Sequence, residues 1–174
     1  GGFLDFSRNS WFEVFAKRGF ETYAGRDYRK QGWMLDAGTS WWDWLSVMTQ
    51  VGVMDSINYT PANGVSALMG QGRSVDLTVS LKPHAQWRIE EKVLWNDLRN
   101  SADATNRDAL VYRNLMLRSK LSYQHNRFLG LRLIVDYHLL DSNPRLSTLT
   151  SGKQLNTDFQ INYLLSPGTS VIAG

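Results

Sequence analysis

The stretch from Leu110 to Leu165 reads LVYRNLMLRSKLSYQHNRFLGLRLIVDYHLLDSNPRLSTLTSGKQLNTDFQINYLL, and apolar side chains recur in it at every second position. Arg132, Asp136 and His138 alternate with the apolar residues of its central segment. Those apolar residues are Leu129, Leu131, Leu133, Val135, Tyr137 and Leu139. Because successive side chains of a strand point to opposite faces, this period predicts β-strands with one apolar and one polar face.

The same alternation extends outward over most of the chain, in segments of about 12–14 residues that exceed the usual strand length of roughly 5–6. Short and long connections are predicted to alternate along the chain. The short ones are Arg8–Ser10, Trp42–Trp44, Pro83–Gln86, Asn126–Arg127 and Ser166–Gly168, and the long ones are Gly25–Gln31, Asn58–Gly70, Asn100–Asp108 and Asp141–Gly152. A propeller blade has a similar repeat of roughly 40–45 residues but contains four short strands, whereas only two long ones fit here. The pattern predicts an all-β, antiparallel up-and-down meander of long strands, as an outer-membrane β-barrel or a curved partial barrel.

The composition fits one domain over residues 1–174, with 43% hydrophobic and 20% charged residues. No apolar run approaches the roughly 18 residues of a transmembrane helix. The chain has no cysteine, and its net charge of +3 is spread without a dense basic cluster, which argues against a nucleic-acid partner. It opens on Gly1 without a secretory leader and ends inside a predicted strand, so we expect a fragment truncated at both ends.

Tryptophans cluster where a short turn is predicted, at Trp41, Trp42 and Trp44, and further ones are at Trp87 and Trp95. In a membrane barrel such indoles lie at the headgroup level, so these five residues are candidates for an interface belt. Two alternatives are a Trp-rich mini-core and a stacking platform for a sugar.

The polar face supplies a second set of candidates, which would line the lumen of a barrel. They are Arg118, Lys120, Arg132, Asp136, His138 and Asp158. Opposite charges on neighbouring strands can pair across the sheet, which favours a narrow or plugged lumen held by ion pairs. The alternative is a selective pore in which these charges face water.

Signals for catalysis are poor, so we predict no enzyme activity, no cofactor and no metal site. His138 and Asp136 share a strand face and could hold a metal or tune a proton, but polar lumen residues alternate in this way in any barrel. No Gly-x-Ser-x-Gly motif and no Gly-rich phosphate loop occurs. An esterase or phospholipase barrel is a remote alternative.

Several longer motifs resemble those of one protein family. They are the runs from Gly72 to Pro83, from Tyr112 to Leu115, from Asn126 to Ile134, from Asn156 to Phe159 and from Tyr163 to Thr169. The family comprises large bacterial proteins of unassigned function, with a carbohydrate-binding-like β-sandwich near the N-terminus and a C-terminal domain resembling an outer-membrane β-barrel. The resemblance covers roughly Gly70 to Gly174. It implies location and architecture, and it supplies no activity.

Two hypotheses of function follow. The first is an integral domain of the bacterial outer membrane that anchors a larger surface or periplasmic protein or passes a solute. Its partners would be outer-membrane lipid, the N-terminal module of the same polypeptide, which this sequence lacks, and carbohydrate as a further candidate. The second is a soluble, β-rich carbohydrate-binding module that uses exposed tryptophans and buries one sheet against another.

Overall fold

A computed structural model describes residues 1–7, 9–101, 110–166 and 169–173. The described residues form ten strands and no helix, which confirms the predicted all-β class. The strands are β1 (Gly2–Phe6), β2 (Ser10–Tyr23), β3 (Arg26–Trp42), β4 (Leu45–Ile57), β5 (Met69–His84), β6 (Trp87–Asn100), β7 (Leu110–Gln124), β8 (Leu129–Ser142), β9 (Gly152–Ser166) and β10 (Thr169–Ala173).

The ten strands form one sheet in chain order, and every neighbouring pair is antiparallel. This confirms the predicted up-and-down meander. Among the described residues no ladder joins β1 to β10, so the sheet is open and not a closed barrel. The eight strands from β2 to β9 are 13 to 17 residues long, which agrees with the prediction of long strands.

The second connection differs from its prediction. The segment Gly25–Gln31 was predicted as a long charged loop, but β2 and β3 are joined by Ala24 and Gly25 alone, and the strand begins at Arg26. Both turn residues have positive φ, 49° and 74°, which is the two-residue hairpin geometry that matches strand twist. The charges that suggested a loop are strand residues, so the predicted alternation of short and long connections fails at this position.

Strand β5, Met69–His84, also extends into both of the connections predicted beside it, Asn58–Gly70 and Pro83–Gln86. Pro83 does not end it, because the register between β5 and β6 shifts between Leu81 and His84. A proline lacks the N–H that a ladder bond requires, so it is tolerated at such an irregularity. The predicted connections Asn100–Asp108, Ser166–Gly168 and Arg8–Ser10 lie partly outside the described residues.

Register separates the sheet into two faces. One cross-strand row of the first face consists of Val14, Leu35, Val51, Val75, Trp95, Leu115 and Leu139. We call this the apolar face. The residues between these positions form the polar face, on which Asp36, Gln50, Asp76, Asn114 and their neighbours lie.

The apolar face is not covered by a second layer of the described chain. Of its side chains, Leu155 is 65% exposed, Phe159 49% and Leu117 37%. In the described residues the buried hydrophobic side chains are only Ile57, Leu98 and Val111. Sheets in compact domains usually bury their apolar face against another layer, and the described residues supply no such layer for this face.

Two long loops close over one end of the sheet. We call residues 58–68 and 143–151 the crossed loops and this end the loop end; the opposite end, with the connections at 43–44, 85–86 and 125–128, is the turn end. The Asn58 side-chain amide donates to the carbonyl of Leu146 over 2.7 Å, and the Thr148 N–H donates to the carbonyl of Thr60 over 2.9 Å. The loops follow β4 and β8, which lie about 19 Å apart along a flat sheet at 4.8 Å per strand. Such contact is therefore consistent with a sheet that curves.

Candidate functional site

The turn end of the apolar face carries aromatic side chains on several of its strands. Trp42, Trp87, Tyr123 and Tyr163 all lie on this face near the turns. The rings of Trp87 and Tyr123, cross-strand partners on β6 and β7, are 4.5 Å apart, and those of Trp42 and Trp44 are 5.9 Å apart. The candidates Trp41, Trp42 and Trp44 are 41%, 50% and 49% exposed, so they present indole surface to the surroundings.

The fifth tryptophan candidate, Trp95, lies nearer the loop end than the other four. It shares the apolar face with Trp33, which the sequence did not single out although it follows the same alternation. From Trp87 to Trp95 along β6 the span is about 27 Å at 3.4 Å per residue. With a strand tilt of roughly 40° this becomes about 21 Å, close to the roughly 25 Å apolar band of outer-membrane barrels.

A transverse row of charges follows Trp95 toward the loop end. It consists of Arg73, Asp97, Arg113 and Asp141, which are successive cross-strand partners. The Asp97 side chain is fully buried and accepts hydrogen bonds from the guanidinium groups of Arg73, over 2.8 Å, and Arg99, over 3.2 Å. The Arg73 guanidinium also lies 5.5 Å from the Trp95 ring centre. The sequence analysis did not predict this row. Each of its members is two residues from an apolar residue of the same strand, and that spacing places it on the apolar face.

One polar pair interrupts the apolar face. Glu91 and Ser119 are cross-strand partners on β6 and β7, and the Ser119 hydroxyl donates to the Glu91 carboxylate. Their row neighbours on either side are Val79 and Val135. The carboxylate therefore has a hydrogen-bond partner within an otherwise apolar region.

The six predicted lumen residues lie together on the polar face. Arg118 and Asp136 are cross-strand partners, and the guanidinium makes two hydrogen bonds of 2.6 and 2.9 Å to the carboxylate. Lys120 and Asp158 share one row but are separated by Ile134. The structure thus brings together one of the expected opposite-charge pairs and keeps the other apart.

His138 is not joined to Asp136. Its Nε2 atom lies 2.6 Å from the Asn114 side-chain oxygen, while Asp136 is bound by Arg118. Within the described part of the chain, no group of three or more histidine or carboxylate side chains is placed to hold a metal ion. The sixth candidate, Arg132, lines a cavity at the turn end.

The crossed loops also contact the N-terminal strands on the polar face. The Tyr59 hydroxyl donates to the Glu21 carboxylate over 2.7 Å, and the Tyr23 hydroxyl donates to the Tyr59 carbonyl over 3.1 Å. The hydrogen bond to Glu21 raises the pKa of the Tyr59 phenol above its usual range. Lys30 completes the cluster with a 2.8 Å ion pair to Glu21.

No helix in the described residues has the length and apolar character needed to cross a bilayer. Comparison of the chain with protein-family models, with curated proteins and with solved structures gives no match. The family resemblance of the sequence motifs therefore stays a prediction.

Proposed function

We propose that this chain is an integral β-sheet domain of the bacterial outer membrane, with its apolar face against lipid and its polar face toward an aqueous or plugged lumen. In this role it serves as a membrane anchor, or as a channel or transport element, for a larger surface or periplasmic protein. The N-terminal module of that polypeptide, inferred from the family resemblance, is its proposed partner. No enzymatic step is part of the proposal.

The exposed apolar face carries this proposal. Leu117, Leu155, Phe159 and their neighbours extend over strands β2 to β9 with no second layer among the described residues. Leaving one such side chain in water costs roughly 1.5–3 kcal/mol relative to burial. A face of this extent needs an apolar partner, and lipid acyl chains can cover it without supplying hydrogen bonds.

The ends of the apolar face support the same proposal. Aromatic side chains border it at Trp42 and Trp87 on one side, and Trp33 and Trp95 on the other. Beyond Trp95 stands the charged row that contains Asp97. An apolar band between aromatic borders, followed by charges, is the profile of a strand that passes from hydrocarbon to the headgroup region.

The polar face supports a lumen rather than a second lipid contact. The ion pairs of Arg118 with Asp136 and of Lys92 with Asp76 lie on it, at 2.6 and 3.5 Å. Charges facing hydrocarbon are costly, whereas the same charges paired across strands are suited to a narrow, water-filled interior.

Quenching of tryptophan fluorescence by brominated lipids tests the proposal. Variants of the full chain in lipid bilayers would keep one tryptophan each, Trp87 or Trp95, with phenylalanine at the other six positions. We expect lipids brominated near the headgroup to quench both. Trp11 is the control, because its indole lies over Gly38 on the polar face. Equal, weak quenching of all three variants would contradict a lipid-facing apolar surface.

A carbohydrate-binding module is the second candidate, and one observation favours it. Trp41, Trp42 and Trp44 are all exposed within one turn, and two of their rings are 5.9 Å apart. Exposed indoles provide stacking surface for sugar rings. This hypothesis predicts that soluble oligosaccharides perturb the fluorescence of a variant in which these three are the only tryptophans.

A further inference from the structure

The polar face has a cavity of about 590 Å³ at the turn end, lined from β5 through β9. Four of its lining side chains are basic: Lys82, Arg88, Arg127 and Arg132. Among the described residues that line it there is no Asp or Glu. The lining charge of the cavity thus differs from that of the middle of the polar face, where positive and negative side chains are interspersed.

Register explains how the cavity forms. Arg88, Ser122 and Arg132 are successive cross-strand partners on β6, β7 and β8. The two arginines are therefore about 10 Å apart along the sheet at 4.8 Å per strand, with the small serine between them. On the neighbouring row the Gln124 side chain lies over Gly130 and forms part of the cavity wall. The cavity of about 590 Å³ is large enough for a small molecule.

The cations of the cavity are weakly compensated by the protein. Arg88 has one contact with a carboxylate, from Nη2 to Glu90 Oε2 at 3.9 Å, and Arg88 is 58% exposed. In the described part of the chain, Lys82, Arg127 and Arg132 have no ion pair. By contrast, Arg118, two rows further along the polar face, is bound in two places by Asp136. Guanidinium groups with so little carboxylate compensation around one cavity suit carboxylate or phosphate oxygens, which they bind with paired hydrogen bonds.

We propose that this cavity binds a small anion that bears several carboxylate or phosphate groups. The inference rests on the proposed function for its context, in which the cavity is the turn-end mouth of the lumen and the ligand is a solute that enters or leaves there. Arg88 and Arg132 bind the anion from opposite sides through hydrogen bonds. Lys82 and Arg127 add positive electrostatic potential at the rim of the cavity.

Calorimetric titration of the full chain in detergent tests the inference, with tripolyphosphate and citrate as separate anionic probes and spermidine as a cationic one. We expect at least one anion to bind at low ionic strength and spermidine not to bind at this site. Arg132→Gln and Arg88→Gln should each weaken binding about tenfold, because each removes a charge-assisted hydrogen bond. Binding of tripolyphosphate alone identifies phosphate as the preferred group, and binding of citrate alone identifies carboxylate.

Matched variants distinguish a site from general attraction. Arg145→Gln makes the same change of charge at an exposed position in the crossed loops and should leave binding unchanged. Ser122→Leu keeps the charge but fills the gap between the arginines, and should also weaken binding. Equal weakening by Arg145→Gln, or no binding of either anion, would overturn the inference.

Lipid quenching of the Trp87 variant in the same preparation separates the two proposals. Quenching without anion binding refutes the anion site and leaves the membrane proposal standing. Anion binding without quenching supports the site and contradicts the membrane proposal.

Discussion

At the residue scale, Asp97 is the one charged residue among those described that is buried. It is fully buried, whereas its partners Arg73 and Arg99 are 36% and 32% exposed. Asp97→Asn should lower the free energy of unfolding by about 2 kcal/mol, below the roughly 3–5 kcal/mol of fully buried pairs because both arginines retain contact with solvent. Urea unfolding in detergent or bilayers measures this loss.

The matched control is Asp136→Asn, which also removes a carboxylate bound twice by arginine. Arg118 is more than half exposed, so water screens this ion pair. The loss of stability should be clearly smaller than for Asp97→Asn. Equal losses of unfolding free energy in the two variants would show that the burial of Asp97 does not strengthen its ion pairs.

Glu91 tests the environment of the apolar face directly. Against lipid, an unneeded carboxylate is unfavourable, so Glu91→Leu combined with Ser119→Val should stabilise the protein by about 1 kcal/mol in bilayers. Ser119→Val alone should destabilise it, because the carboxylate then loses its donor. Glu90→Leu is the control on the polar face and should give no gain. A loss of stability in the double variant would indicate that Glu91 binds a polar partner instead.

At the element scale, a buried side-chain amide is one of the links between the crossed loops. Asn58 is fully buried, donates to the Leu146 carbonyl and accepts from the Thr60 N–H over 3.2 Å. Asn58→Ala leaves the Thr60 N–H unpaired and removes one of the two donors to the Leu146 carbonyl, the other being the Ala62 N–H, so it should cost about 1–3 kcal/mol. Amide hydrogen exchange should then rise in both loops, since each holds the other. Asn63→Ala, at an exposed position of the same loop, should leave amide hydrogen exchange in both loops unchanged.

Strand prediction from alternation succeeded wherever one face is continuously apolar. The bounds of β4 agree with their prediction because Leu45, Val47, Val51 and Val53 mark the whole strand. It failed at the first half of β3, where Arg26 to Lys30 extend past the apolar band and alternate without a hydrophobic partner. A charged strand beyond the apolar band has the composition of a loop, and only the Ala24-Gly25 turn could have indicated otherwise.

At the scale of the whole molecule, the sequence predicted which residues share a face but not which rows they join. The polar set with Arg118 and Asp136 followed from alternation alone. The charged row at Asp97, the basic cavity at Arg132 and the contact between the crossed loops require the register of several strands, which depends on pairing between distant parts of the chain. The alternation of apolar and polar residues along one strand does not determine that register.

Cysteine labelling along β8 shows whether the apolar face contacts lipid. The chain has no native cysteine, so each single-cysteine variant is labelled at one place. In liposomes, Leu131→Cys, Leu133→Cys and Val135→Cys should react with lipid-soluble probes. Arg132→Cys and Asp136→Cys should react with water-soluble reagents. If the first three positions are shielded from both kinds of reagent, the face is covered by protein and the membrane proposal is wrong.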